Sequence, residues 1–148
     1  MNIPRMTGLT VLIGLGTAAL AHQGIQNAAV KARMDSMSAI ATHMKTLGDM
    51  ARGKATFDTA LARHAAQGIS LHAAEVPTLF EVPENDPKSE ALPIIWTQFD
   101  DFEAKAVQME KVAADLATTL SEPDDLPAAL KALGATCTSC HETYRQEQ

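Results

Sequence analysis

The chain has 148 residues, with 12 lysines and arginines against 18 aspartates and glutamates, which gives a formal charge of −6. This length is typical of one domain, and an acidic chain without a basic cluster is unsuited to nucleic acid, whose binding depends on neutralising phosphates. Hydrophobic residues make up 46% of the chain, but aromatic residues only 4%. This composition provides a core, which excludes wholesale disorder, and it favours helices over a β-sandwich or barrel.

The first 21 residues have the pattern of a secretory signal peptide. Arg5 supplies the positive charge, an apolar run follows from Thr7 to Leu20, and the run closes in Ala19-Leu20-Ala21, with small residues at both ends of an A-x-A cleavage site. An uncleaved membrane anchor is the alternative, but a spanning helix needs about 20 apolar residues and this run is shorter. We expect cleavage after Ala21, a mature periplasmic chain of residues 22–148 without membrane attachment, and a mature charge of −7 from 11 basic and 18 acidic residues.

Two segments with helical periodicity follow. Positions that step by three and four run from Val30 to Ala51, and Gly53 ends this first helix. The second segment keeps the same rhythm and ends at Glu75-Val76-Pro77. Its predicted buried stripe is Phe57, Leu61, His64, Gly68 and Leu71. The prolines after it indicate a long irregular connection.

The third and fourth segments complete the predicted fold. From Ile95 to Leu120, apolar residues alternate steps of four and three, and charged residues between them form a solvated face, as in a bundle helix. The fourth segment begins near Pro127 and keeps an apolar seam to Tyr144. No stretch alternates with period two, so no strand is expected. The sequence predicts an all-α, antiparallel four-helix bundle with one long loop and two short ones.

Both cysteines fall in the motif Cys137-Thr138-Ser139-Cys140-His141. C-x-x-C-H is the attachment signature of haem c: the two thiols share one helical face and can add across the two vinyl groups, and the following histidine can reach the iron from the same side. A redox disulfide usually starts a helix after a strand, and a zinc site needs a second pair of ligands. A structural disulfide within one helical turn would cross-link little. The spacing therefore favours one covalent haem c per chain.

The residues around this motif resemble the class II c-type cytochromes, the cytochrome c′ family. Members carry C-x-x-C-H on the last helix of a four-helix bundle, followed by polar residues, an aromatic residue and an arginine. The similar segments here are the run from Cys137 to Arg145, the run Ala29-Val30-Lys31-Ala32-Arg33-Met34-Asp35-Ser36-Met37, Gly48, Gly53, Phe57-Asp58, and Ile95-Trp96 with Phe102. The resemblance covers nearly all of residues 22–148, and it implies this fold with haem bound to Cys137 and Cys140 and with His141 as the proximal ligand.

The resemblance also places Met37 where the family's first helix meets the distal face of the haem. Typical members have an apolar blocker there, and their five-coordinate iron binds nitric oxide and carbon monoxide. In low-spin members a methionine at this place ligates the iron, which raises the reduction potential and suits electron transfer. Both interpretations remain open for Met37, because ligation depends on helix placement rather than on residue type. Met34 is a weaker candidate ligand, and methionines also fill cores.

Two arginines are further candidates for haem contacts. Arg33 lies one turn before Met37, and the resemblance gives it a haem propionate as partner; placement at the surface is the alternative. Arg145 lies one turn after His141, and the resemblance sets it over the proximal haem face; the alternative is an ordinary cation at a helix C-terminus.

Aromatic residues and histidines carry weaker expectations. Aromatic residues of the third segment are candidates for the pocket wall or for plain core; they are Trp96, Phe99 and Phe102. His43 is predicted to face solvent, and His64 to be a core or interface histidine.

The predicted function is a periplasmic haem c protein that binds nitric oxide or carbon monoxide or transfers single electrons, with a low-spin electron carrier ligated by Met37 as the alternative. Its acidic surface suits a basic redox partner. A peroxidase or nitric oxide reductase would need polar distal groups, which Met37 and its apolar neighbours lack, so we expect no catalytic residue. A purely structural bundle with an incidental motif is the third hypothesis. Family members commonly form homodimers through the first two helices, whose small residues suit a monomer equally well.

Overall fold

The computed structural model describes residues 24–147 as a bundle of four long helices with one short α-helical turn and one 3₁₀ turn, Pro123–Asp125. The helices are α1 (Ala28–Ala51), α2 (Thr59–Phe80), α3 (Ile94–Thr97), α4 (Phe99–Thr119) and α5 (Leu126–Tyr144). α2 packs against α1 and α4, and α5 packs against the same two helices, which confirms the predicted all-α four-helix bundle. The described range contains no strand, only an isolated bridge between Ala91 and Arg145, and none of its helices is long and apolar enough to cross a membrane. The predicted signal peptide lies outside these residues.

Polar side chains cap the first turns of α1 and α2. The side chain of Asn27 accepts a hydrogen bond from the backbone N–H of Val30 at 3.0 Å, and Asp58 does the same for Leu61 at 2.8 Å. Both side chains satisfy N–H groups that the first helical turn leaves unpaired. Gly53 then turns the chain after α1 with a φ of 68°, a conformation that favours glycine.

The predicted end of α2 at Glu75-Val76-Pro77 is wrong, because the helix continues through Pro77 to Phe80. Proline inside a helix removes one backbone hydrogen bond. Burial of the side chains on either side offsets that cost, since Val76 is 2% exposed and Phe80 6%. Packing beyond the proline has therefore overridden the local stop signal.

The predicted buried stripe of α2 is also wrong, because Leu61 and Leu71 are 48% and 59% exposed and His64 lies at the surface. The face that is buried instead consists mainly of small residues, namely Ala62, Ala65, Ala66, Ile69, Ser70, Ala73, Val76 and Phe80. Alanines let α2 approach α1 and α4 closely along its whole length, which leaves the larger leucines on the outside of the bundle.

The third predicted helix is divided in two. Gln98 leaves the helical conformation with a φ of −130° and a ψ of 40°, so that α3 ends and α4 begins beside it. The predicted seam nevertheless stays on the buried side of both pieces, as Ile95, Phe102 and Ala113 show. A change at one residue leaves the spacing of the apolar residues intact, which is why the periodicity gives no sign of the break.

Arg33 of α1 holds the loop that follows α2. Its guanidinium is 3% exposed and donates to three backbone carbonyls, those of Leu79 at 2.8 Å, Val82 at 2.6 Å and Glu84 at 2.8 Å. The same group lies over the ring of Phe80, 4.6 Å from its centroid. Arg33 thus caps the end of α2 and fixes the path of the chain beyond it.

Asp86 ties the same loop to the start of α1. Its carboxylate accepts hydrogen bonds from the backbone N–H groups of Lys88 at 2.9 Å, Gln26 at 2.9 Å and Asn27 at 3.2 Å. These bonds, with that from Lys88 the largest cause, hold the pKa of Asp86 below its ordinary value. The loop is therefore fixed to α1 at two points.

Replacing Arg33 by methionine should lower the free energy of unfolding by about 3 kcal/mol, because the three carbonyls lose their buried donor. Urea unfolding of the purified protein measures this. Lys31→Met is the matched control, because Lys31 is an exposed cation two residues earlier on the same helix, paired with Asp35. We expect the control to lose less than about 1 kcal/mol. Equal losses in the two variants would contradict the role assigned to Arg33.

Candidate functional site

A cavity of about 630 Å³ lies inside the bundle, a volume in the ordinary range of ligand pockets. Its walls come from all five α-helices and from the loop before α3. The apolar part of the lining is Val30, Met34, Met37, Ile40, Ala41, Met44, Val76, Phe80, Ala91, Ile95, Phe102, Ala106 and Met109. Cys137, Cys140 and His141 of α5 line the same cavity, so the structure brings the whole C-x-x-C-H motif to one apolar space.

The surroundings of the motif keep the side chains of Cys137, Cys140 and His141 uncharged when no haem is attached. Both thiols are free, and burial raises the pKa of Cys137 and raises that of Cys140 to about 11. Burial, followed by the nearby charge of Arg145, lowers the pKa of His141. A neutral imidazole has a nitrogen lone pair, which is what ligation of a metal requires. The donor set, two cysteines and a neutral histidine against an apolar cavity, fits a covalently attached haem.

Met37 lines the cavity from α1, at the place where the two hydrophobic clusters of the bundle meet. It packs against the cluster that contains Leu47 and Leu133 and also against the cluster that contains Phe102 and Tyr144. Met34, Met44 and Met109 line the cavity as well. Thioethers are soft ligands that suit iron in low-spin haem, and they are also adaptable apolar filler, so this placement is compatible with both interpretations of Met37.

The two candidate arginines both reach the cavity, but in different ways. Arg33 is buried, so the alternative of surface placement is wrong. Three of its five N–H groups donate hydrogen bonds to carbonyls, which leaves two N–H groups for another acceptor. Arg145 directs Nε and Nη2 to the same carboxylate oxygen of Glu90, each at 2.7 Å, and Glu90 also lines the cavity. Contacts of either arginine with haem remain predictions.

Of the three aromatic residues predicted as pocket wall, Phe102 lines the cavity whereas Trp96 and Phe99 do not. Trp96 donates from Nε1 to the carbonyl of Phe80 at 2.7 Å, and Phe99 packs beside Phe102 with their ring centroids 6.0 Å apart. Phe80 also lines the cavity, although no sequence pattern indicated this. It was missed because the predicted α2 ended before it.

Lys105 was predicted to lie on the solvated face of the third segment, but it lines the cavity. Its Nζ lies 3.2 Å from Ser139 Oγ, inside the C-x-x-C-H motif, and 3.7 Å from a carboxylate oxygen of Asp101. The hydroxyl of Tyr144 donates to Asp101 at 2.6 Å. The spacing of Asp101 and Lys105 by four residues is the one sequence signal of this network, which joins α4 to the C-x-x-C-H motif and to Tyr144 on α5.

The loop before α3 contributes residues 88–91 to the lining of the cavity. It is tied to the end of α5 by backbone bonds from Leu92 to Tyr144 at 3.0 Å and from Gln146 to Glu90 at 2.8 Å. Sequence reasoning assigned these loop residues no role, because an irregular connection has no periodicity from which its direction can be read.

Two predictions for histidines are wrong. His43 was predicted to face solvent but is half-buried, and His64 does not lie in the core but at the surface. His43 is half-buried against α2, where its ring centroid lies 6.2 Å from those of both His64 and His72. None of these three histidines lines the cavity of the C-x-x-C-H motif.

Substituting Tyr144 by phenylalanine should lower the free energy of unfolding by about 1 kcal/mol at pH 7, through loss of the bond to Asp101. Burial and then that bond raise the pKa of Tyr144 to about 12, above about 10 in an unfolded chain. The stabilisation is therefore complete below pH 10 and is lost as the pH rises to about 12.

A pH series of urea unfolding on both proteins measures this loss. Between pH 10 and 12 the stability of Tyr144→Phe should fall less steeply than that of the parent. Parallel slopes in the two proteins would contradict the assignment.

The chain matches the family model described as Cytochrome C′ over residues 28–145. It is 38% identical over 117 residues to cytochrome c-556 of Agrobacterium fabrum, a match that covers 78% of this chain and 80% of that relative. Among solved structures, cytochrome c′ from Rhodopseudomonas palustris matches with a TM-score of 0.77 at 22% identity, over 83% of this chain and 99% of that chain. The nitric oxide complex of a cytochrome c prime variant from Alcaligenes xylosoxidans matches with a TM-score of 0.68 at 26% identity, over 80% and 94% of the two chains.

Proposed function

The chain belongs to the cytochrome c′ family, and on this premise we propose that it is a periplasmic haem protein that transfers single electrons and binds nitric oxide or carbon monoxide at a five-coordinate iron. The observation that carries this function is the single apolar cavity shared by Cys137, Cys140, His141 and Met37. Proteins of this family are c-type cytochromes, and one covalent haem c is the cofactor that the two cysteines of this chain attach.

When bound, the haem supplies an iron that exchanges one electron and accepts axial ligands. The chain contributes the environment. Cys137 and Cys140 would each add a thiol S–H across a vinyl group, and His141, held neutral by burial and by Arg145, would be the proximal ligand. The apolar walls would keep water away from the iron of a bound haem. Arg33 and Arg145 have N–H groups that are not bonded to protein acceptors. These groups would point to the propionates or to the faces of the haem.

Met37 decides how the iron responds to small ligands. As a guard it would narrow the space next to the iron and leave a coordination site for a diatomic gas, and the nitric oxide complex of the Alcaligenes xylosoxidans relative supports this function. The second candidate is a six-coordinate, low-spin carrier in which the sulfur of Met37 is the sixth ligand. The thioether of Met37 within the cavity is the observation that favours it.

An electron carrier or ligand binder fits the site better than an enzyme. The α1 wall that contains Met37 presents thioether and alkyl groups together with Ser38 and the engaged guanidinium of Arg33. Peroxide or nitric oxide turnover requires a distal group that moves protons. General acids and bases are usually histidine, carboxylate, lysine, tyrosine or cysteine side chains, which differ from the side chains of this α1 wall. We infer no catalytic residue in this chain.

The N-terminal residues indicate export of the chain, and its net charge indicates the kind of partner that it would bind. Residues 1–21 would act as a cleaved signal peptide and residues 22–148 as the mature domain. With 11 basic and 18 acidic residues, the mature chain would attract a basic redox partner by long-range electrostatics. The partners would thus be redox proteins, and the mature chain would bind neither nucleic acid nor a membrane.

The outer face of α2 is where we place a homodimer contact. Leu61 and Leu71 are 48% and 59% exposed there, and Glu75 is the one acidic residue within the helix. Two copies that met along this face would bury both leucines of each copy, which is favourable in proportion to the apolar area removed from water.

Visible spectra of the reduced protein before and after addition of carbon monoxide test the function. We expect a broad high-spin spectrum that sharpens with the gas, both in the parent and in Met37→Leu, which keeps the side-chain volume but removes the sulfur. Met34→Leu is the matched control. A sharp low-spin spectrum that ignores the gas, and that Met37→Leu but not Met34→Leu converts to a gas-binding form, would replace the five-coordinate proposal with the six-coordinate one.

Leu71→Glu should raise the dissociation constant of the dimer about 100-fold, because it buries a carboxylate in an apolar contact. Sedimentation velocity over a range of concentrations measures the effect. Val82→Glu is the control, since Val82 is equally exposed, at 59%, but lies in the loop beyond α2. A parent protein that sediments as a monomer, or equal effects of the two variants, would contradict this contact.

A further inference from the structure

One charged side chain of α4 lies in the wall of the cavity, and it belongs to Lys105. The other residues that α4 contributes to this wall are apolar, namely Phe102, Ala106 and Met109. The side chain of Lys105 is 25% exposed, and its Nζ lies 3.2 Å from Oγ of Ser139, the residue just before Cys140. An ammonium group is therefore held beside the turn of α5 that carries both cysteines.

The carboxylate that pairs with Lys105 lies outside the cavity. Asp101, one helical turn earlier on α4, has a carboxylate oxygen 3.7 Å from Nζ of Lys105, but its side chain is 58% exposed and is not part of the lining. The hydroxyl of Tyr144 donates to the same oxygen at 2.6 Å. The negative charge of Asp101 is thus shared between two partners and lies largely in water, which screens it strongly.

A second ion pair at the cavity is arranged differently. Nε and Nη2 of Arg145 each lie 2.7 Å from one carboxylate oxygen of Glu90, and both residues line the cavity. Opposite charges that are this close and in the same surroundings largely cancel at longer range. In the Lys105 pair the separation is larger, with the cation in the wall and the anion towards solvent. Lys105 therefore contributes a net positive potential to the cavity.

The charges of this pair act on one of the cysteines that would hold the haem. Burial raises the pKa of Cys140 to about 11. Among the nearby charges, that of Lys105 has the largest effect on this pKa and lowers it, while that of Asp101 raises it. At Cys140 the effect of the cation is thus larger than that of the anion.

We propose that Lys105 raises the reduction potential of the haem iron and that Asp101 moderates this effect, an inference that rests on the proposed one-electron function. Gain of an electron lowers the charge at the iron by one, so a nearby cation favours the reduced state and a nearby anion the oxidised state. Burial and the groups around a haem set its potential together with the axial ligands. Lys105 lies in an apolar wall, where water screens its charge less than that of an exposed lysine.

Potentiometric titration of the haem-loaded protein at pH 7, followed by visible absorption, tests the effect of Lys105. Lys105→Gln removes the charge but keeps a side-chain N–H donor. We expect the equilibrium between reduced and oxidised iron to shift at least about threefold towards the oxidised form, which lowers the potential by about 28 mV for one electron. Lys105→Arg keeps the charge and should retain the potential of the parent. Lys111→Gln is the matched control, because Lys111 is an exposed lysine of α4 outside the cavity, and its shift should be smaller.

Asp101→Asn should shift the potential in the opposite direction. It removes the negative charge but keeps an oxygen that can accept from Tyr144, so the reduced state should gain at least about twofold, or about 18 mV. Glu103→Gln is the matched control, an exposed acid of the same helix outside the cavity. All variants should keep the visible spectrum of the parent in both oxidation states.

Three results would overturn the effect assigned to Lys105. They are equal shifts in Lys105→Gln and Lys111→Gln, a shift in Lys105→Arg as large as in Lys105→Gln, and a shift that occurs only with a changed spectrum, which would assign it to iron coordination. A parent chain that holds no haem would overturn the proposed function and this inference together. A parent that holds haem and has the same potential as Lys105→Gln would overturn this inference alone.

Discussion

The structure depends on an apolar cavity of about 630 Å³ that the side chains of the bundle leave at the junction of its two hydrophobic clusters. Protein interiors are close-packed, and a void of this size forfeits the contacts of every side chain around it. A flat, apolar group bound there would complete the core. Cys137 packs against one cluster and Cys140 against the other, so the proposed attachment of haem to these two cysteines would also join the clusters, with Met37 between them.

Polar contacts made by residues in and around the cavity wall hold the surrounding elements together. Arg33 fixes the end of α2 through three carbonyls, and Asp86 fixes the following loop through three backbone N–H groups. The loop then carries Glu90 to Arg145 at the end of α5. One continuous set of contacts thus runs from α1, through the loop that lines the cavity, to the end of α5.

The sequence predicted the four long helices and the haem motif, because spacing within one helix determines both. It did not predict which face of α2 is buried, since the apolar stripe of Leu61 and Leu71 and the alanine stripe that is buried have the same period. The continuation through Pro77 depends on tertiary packing of Val76 and Phe80. The carbonyl partners of Arg33 lie at the end of α2 and in the loop after it, 46 to 51 residues away, and no local pattern reports such contacts.

Retention of haem under denaturing conditions tests the central claim most directly. The chain would be produced with a haem-attachment system, and its intact mass would be measured after extraction with acidified organic solvent, for the parent and for a variant with Cys137→Ala and Cys140→Ala. The account predicts a parent that keeps the mass of one haem per chain and a variant that keeps none. A parent that is colourless, or that releases its haem to the solvent, would contradict it.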